Sequence, residues 1–134
     1  MRYMLDTNIC IYIMQRRPSE VAARLNELYY GDAVLSAVTL AELSAGVELQ
    51  FATRPQNEKA LADLLEDLPV LPFDQRAAAT YGRLRAAVPG RRRDALDPFI
   101  AAHAVAVGTT LVTNNEGDFA GYPGLNVENW ATGA

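Results

Sequence analysis

Met4-Leu5-Asp6-Thr7-Asn8-Ile9 sets an acid, a hydroxyl and an amide between apolar neighbours. Buried without partners, such groups are costly. Either the chain turns there and the side chains cap a helix, or the acid is held at a strand end facing a cleft. Glu42, in Ser36-Ala37-Val38-Thr39-Leu40-Ala41-Glu42, has Val38, Ala45 and Gly46 one turn away on its own face and Thr39 at the edge. Small apolar surroundings point it inward; an exposed helix glutamate is the alternative. Asp97-Pro98 can be an ordinary helix start, or an acid at an inward-facing terminus, because residues 99–104 are apolar enough to be buried. Thr113-Asn114-Asn115, with Asp118 beyond, closes the β-branched run 109–113.

Carboxylates from Asp6, Glu42 and Asp97 brought together would repel one another unless a cation joined them. An oxygen-only donor set, with no cysteine cluster and no suitable histidine spacing, favours Mg²⁺ or Mn²⁺ over zinc. Such an ion turns water into a nucleophile and stabilises the leaving oxygen of a phosphodiester. It also lets an acidic chain hold a polyanion, because the metal supplies the local positive charge.

These residues need elements to hold them. Residues 2–5 predict a strand and residues 9–16 a helix, with a second helix opening at Pro18-Ser19-Glu20. Residues 33–35 form a short buried strand, after which Ser36 can cap a helix running to about residue 51. A further helix from Pro55 carries Leu61, Leu64, Leu65 and Leu68. Residues 69–72 are a strand framed by prolines, and Asp74 caps a helix that Pro89-Gly90 breaks. The helix from Asp97 ends at Val107 with Gly108 as a left-handed stop. A strand at 109–113, a polar loop at 114–118 and a strand at 125–127 complete the chain. Short apolar strands alternating with helices predict one α/β domain over residues 1–134, a three-layer sandwich whose short parallel sheet is covered on both faces. Ligands in such sheets bind outside the carboxyl ends of the strands, where the strand order reverses.

The chain has 134 residues, half of them apolar, enough for one real core and too few for two. No apolar run reaches the ~20 residues that span a bilayer, and no export signal stands at the start. The cytoplasm is the expected compartment and no membrane partner is expected. Cys10 is the only cysteine, which excludes an internal disulfide and a four-cysteine zinc site. It reads as a buried filler, and the lone His103 as structural. Sixteen acids against twelve bases argue against a passive nucleic-acid binder. Yet eleven of those bases are arginine, clustered at Arg16-Arg17 and Arg91-Arg92-Arg93, and arginine grips phosphate in a bidentate fork. A solvated face explains such clusters more often than a ligand does.

With these residues in place, the sequence resembles the PIN-domain ribonucleases, and within them the VapC toxins of bacterial toxin–antitoxin pairs. MLDTNI resembles the opening strand and first acid, SAVTLAELSAGVE the second-acid helix, DALDPFIAAHAVAVGTTLVTNNEGDF the third-acid helix and the strand after it, and YPGLNVENW the closing segment. The likeness covers essentially the whole chain, and it implies a Mg²⁺- or Mn²⁺-dependent endoribonuclease. Asp6, Glu42 and Asp97 take the places of its metal-binding acids. Asn115 stands where the fourth acid is usual, so Asn115 or the nearby Asp118 would complete the catalytic set. Thr7 and Asn8 would steady the first carboxylate, Thr113 would complete the shell, and Arg91, Arg92 and Arg93 would contact RNA phosphates. The resemblance further implies a small VapB-type antitoxin on the apolar surface of the early helices, a homodimer pairing two clefts, and an initiator transfer RNA as substrate. Asn115 also favours another reading, a catalytically silent PIN-like module that binds RNA or protein. A receiver-like phosphatase built on Asp6 would need a lysine near a strand end, and Lys59, the only lysine, falls mid-helix.

Overall fold

A computed structural model describes residues 1–90 and 95–131. Five short strands, β1 (Tyr3–Leu5), β2 (Ala33–Ser36), β3 (Val70–Leu71), β4 (Thr110–Val112) and β5 (Val127–Glu128), form one sheet in the order β3-β2-β1-β4-β5. All neighbouring pairs are parallel. Side chains alternate across it as the period of two requires. Tyr3, Leu5, Ala33, Leu35 and Val112 face one core, while Met4, Val34 and Leu111 face the other. Burying each large side chain in these runs contributes about 1.5–3 kcal/mol, which is why such short strands hold.

The chain moves outward from β1 to β3 on one side, then crosses back to β4 and β5 on the other. The helices divide accordingly. α1 (Thr7–Gln15), α2 (Ser19–Asn26) and α4 (Arg54–Asp67) pack Ile9, Cys10, Val21 and Leu64 into the first core. α5 (Gln75–Ala87), α6 (Asp97–Val107) and the short α7 (Glu116–Phe119) cover the opposite face with Leu84, Ile100 and Phe119. α3 (Ala37–Leu49) leaves β2 and supplies Leu43 to the first core. The three-layer α/β arrangement is the one expected. Among the described residues, no helix is long and apolar enough to cross a membrane.

Local chemistry sets the helix ends. Asp6 Oδ1 accepts from the Ile9 amide at 2.9 Å, Ser36 Oγ from Val38 at 3.1 Å, and Asp74 Oδ1 from Ala77 at 3.0 Å. Gly108, at φ +77°, ends α6 in the left-handed region. Several boundaries differ from expectation by a residue or two, β5 starting at Val127 rather than at residue 125, and two differences have a clear local cause. Helix α1 starts at Thr7, because Asp6 itself is the cap. Residues 116–119, expected as loop, make a helical turn because buried Phe119 anchors it and the Asp118 amide bonds to the Asn115 carbonyl at 3.0 Å.

Candidate active site

The strand order reverses at β1, so the carboxyl ends of β1 and β4 form the switch point. Asp6 and Thr113 are the residues that follow those two strands, and the Asp6 amide donates to the Val112 carbonyl at 3.0 Å. Asp6 is only 4% exposed. Capping a helix and holding an acid at a strand end, alternatives in the sequence, are both true of this one side chain. α6 leads into β4, so its first residue, Asp97, returns to the same sheet edge; the residue before it, Leu96, takes the cap position.

Burial pushes the Asp6 carboxyl from 3.8 up to about 6; hydrogen bonds from the Thr113 hydroxyl and the Ile9 amide oppose this, and the charges of Asp97 and Glu42 add to it. Residues at positions 6, 42, 97 and 113 thus share one electrostatic neighbourhood. Thr113 is fully buried, and its Oγ1 also accepts from the Asn115 amide at 2.9 Å, so the hydroxyl links the β4 end to Asp6. Cys10 is closed to solvent, and burial together with the Asp6 charge pushes its thiol up. A neutral, inert filler results.

Some side chains go elsewhere than the sequence suggested. The Thr7 hydroxyl, expected to steady Asp6, donates to Glu42 Oε1 at 2.7 Å instead, because the first residue of α1 points across to α3. Thr113 supplies the hydroxyl on Asp6. Asn8 stands exposed on α1, and Asp118 is exposed on α7. Asn115 is half-buried, with its backbone amide on Thr113. Arg91, Arg92 and Arg93 lie outside the described residues. Sequence reading missed a polar rim, in which Asn114 Nδ2 donates to the Tyr12 hydroxyl at 3.1 Å and Asn129 Nδ2 donates to Asn114 Oδ1 at 3.0 Å and Glu116 Oε2 at 3.2 Å. Tyr12 and Asn129 lie far in the chain from Asn114 and Glu116, and nothing in their spacing signals the contact.

The donor set suits a hard divalent ion: carboxylates only, one of them raised to about 6 by burial and by the charges of its acidic neighbours. Among the described residues no three His, Cys, Asp or Glu side chains close on a single point, and Glu42 is turned toward Thr7. Mg²⁺ does not require closure, since it keeps several waters and is bound through one or two carboxylates. From Glu42 a cleft of about 120 Å³ runs between α1, α3 and α4, lined by Ile11, Met14, Leu43 and Val47.

Thr113→Val keeps shape and removes the hydroxyl. Asp6 is then expected to titrate above its present value of about 6, with roughly 2 kcal/mol of stability lost at neutral pH. An NMR titration of the Asp6 carboxyl checks this; an unmoved midpoint would take Thr113 out of the site.

Fold and site together define a class, a small parallel α/β domain that gathers carboxylates at its switch point. The chain belongs to the PIN-domain family, which residues 3–125 match. It is 37% identical over 132 residues to ribonuclease VapC2 of Haemophilus influenzae, covering 97% of this chain and 98% of that protein. It is also 37% identical to the tRNA(fMet)-specific endonuclease VapC of Shigella flexneri, covering 98% and 99%. Among solved structures, DNA-bound VapBC from Salmonella typhimurium superposes with a TM-score of 0.87 at 35% identity, covering 97% and 98% of the two chains. VapBC2 from Rickettsia felis, bound to a fragment of its promoter, gives 0.86 at 35% identity, covering 97% and 99%.

Proposed function

We propose that this protein is the endoribonuclease toxin of a VapBC-type pair, cutting RNA with a divalent cation and held silent by a small VapB-type antitoxin. The observation that carries the reading is Asp6, a nearly buried carboxyl at the switch point whose protonation Asp97 and Glu42 both favour. The near-full-length likeness to proteins named as VapC ribonucleases supports the same chemistry. Asp6, Asp97 and Glu42 would hold Mg²⁺ or Mn²⁺, which when bound activates water and stabilises the leaving oxygen. The chain's own part is to fix those oxygens: Thr113 and the Ile9 amide orient Asp6, Thr7 holds Glu42, and the α6 backbone carries Asp97. Half-buried Asn115 can offer a neutral oxygen to water at the rim. Transfer RNA is the proposed substrate, after the Shigella flexneri relative. The apolar cleft beside Glu42 is the proposed seat of the antitoxin, and a homodimer the proposed assembly.

Total RNA and purified transfer RNA incubated with the protein in Mg²⁺ or Mn²⁺, with and without EDTA, test this. Cleavage that EDTA abolishes and metal restores is expected. RNA binding without cleavage in any metal would favour the silent module, for which Asn115 in place of an acid is the specific argument. Replacing Arg91, Arg92 and Arg93 together by Ala is expected to weaken RNA binding and to flatten its dependence on salt, because fewer counterions are released. Filter binding across a salt series reads this out; unchanged affinity would return these arginines to the solvated surface.

A further inference from the structure

The acids at positions 42 and 97 sit on different helices, and a polar contact joins α6 to Ser36, the residue that ends β2 and caps α3. His103 Nδ1 lies 2.7 Å from Ser36 Oγ. Ser36 is completely buried and His103 is 1% exposed. Ser36 Oγ also accepts from the Val38 amide at 3.1 Å, so one hydroxyl joins the first turn of α3 to the His103 ring. The ring is held in that orientation by Phe73, edge-on at 5.4 Å and 79°. Phe73 in turn meets Phe99, which stacks on Tyr81 at 4.1 Å.

We propose that the His103–Ser36 hydrogen bond sets the spacing between the helix carrying Glu42 and the helix carrying Asp97, making His103 a positioning residue for the acidic cleft. Ser36 caps α3 six residues before Glu42, and His103 follows Asp97 by six residues on α6. Each acid is therefore ~9 Å along a stiff rod from the tie, and a shift at the tie is carried to the acid nearly undiminished. One turn into α3, Thr39 is also buried, but its hydroxyl has no partner among the described residues. Ser36 thus carries the polar contact. Buried hydrogen bonds of this kind are worth more as constraints on geometry than as net stability, because leaving either group unmet is costly.

The consequence for catalysis rests on the nuclease reading; the contact does not. His103→Leu fills the space without a polar partner for Ser36, and His103→Asn offers an amide group near the Nδ1 position. In the Leu variant we expect kcat to fall about tenfold to a hundredfold with KM within about twofold, and the Asn variant to recover to within about threefold of wild type. Mn²⁺ affinity of the protein alone, measured by electron paramagnetic resonance, should weaken and recover in parallel. The Glu42 and Asp97 amide shifts should move in Leu and return in Asn. Should His103→Leu fail to fold, Ser36→Gly removes the hydroxyl while keeping a tolerated cap, and the same shifts and affinities are read there. A folded variant lacking the tie with unchanged kcat, Mn²⁺ affinity and amide shifts overturns the proposal, as does an Asn variant no better than Leu. A wild-type protein that neither cuts RNA nor binds Mn²⁺ would defeat the nuclease reading, and the amide shifts would still decide the tie.

Discussion

Asp6→Asn is expected to lose cleavage by roughly a thousandfold, the several kcal/mol a metal-bound carboxylate contributes, and yet to melt at a higher temperature than wild type at neutral pH. The two effects share a cause. The folded protein raises the Asp6 carboxyl from 3.8 to about 6, so it binds that proton more tightly folded than unfolded. Whatever stability protonated Asp6 contributes is fully present below 3.8 and lost as the pH rises through about 6. Above that, the ionised form costs the fold on the order of 3 kcal/mol. Asparagine removes the charge and keeps an oxygen for the Ile9 amide. Melting curves at pH 4 and pH 7.5 should show the variant's advantage at the higher pH only. Millimolar Mg²⁺ should stabilise wild type and leave the variant unmoved. A variant that melts lower than wild type at pH 7.5 would mean that Asp6 serves as a cap and not as a strained acid.

Asp97→Ala is the second large effect, an expected loss of a hundredfold or more in cleavage with the fold retained. Leu96 holds the cap position of α6, so the substitution leaves the cap in place, and the helix-dipole contribution of a first-turn acid that it removes is about 0.5 kcal/mol. Removing one of the two charges that raise Asp6 should also bring its titration down from about 6. A pH titration of Asp6 by NMR in the variant therefore tests the neighbourhood independently of RNA. An Asp6 midpoint that stays put would separate the two acids, and a variant that melts in the cold would make Asp97 a helix-starting residue alone.

Ordinary patterning made much of the architecture readable. Strands at 33–35 and 69–72 stood out as apolar runs between turn signals, and Ser36, Asp74 and Gly108 marked helix ends where the structure has them. These features depend on neighbours within one turn, which a single sequence displays. The turn at Glu116–Phe119 was hidden because what stabilises it is the burial of Phe119 against a distant core. The Thr7–Glu42 bond spans 35 residues and the His103–Ser36 bond 67. No local spacing encodes either.

For the acids themselves, the sequence determined which groups are present: oxygen donors without a cysteine cluster, Asp6 after a strand, Asp97 at a helix start and Glu42 within a helix. It left cap and cleft as rivals for Asp6. The tertiary structure shows the cap, with Asp6 Oδ1 accepting from the Ile9 amide, and puts the same carboxyl within the field of Asp97. It also decided that Thr113, and not Thr7, supplies the hydroxyl to Asp6. The physical reason is topological: β1 and β4 are adjacent at the point where the strand order turns back, and adjacency across a parallel sheet is created only when the whole chain has folded.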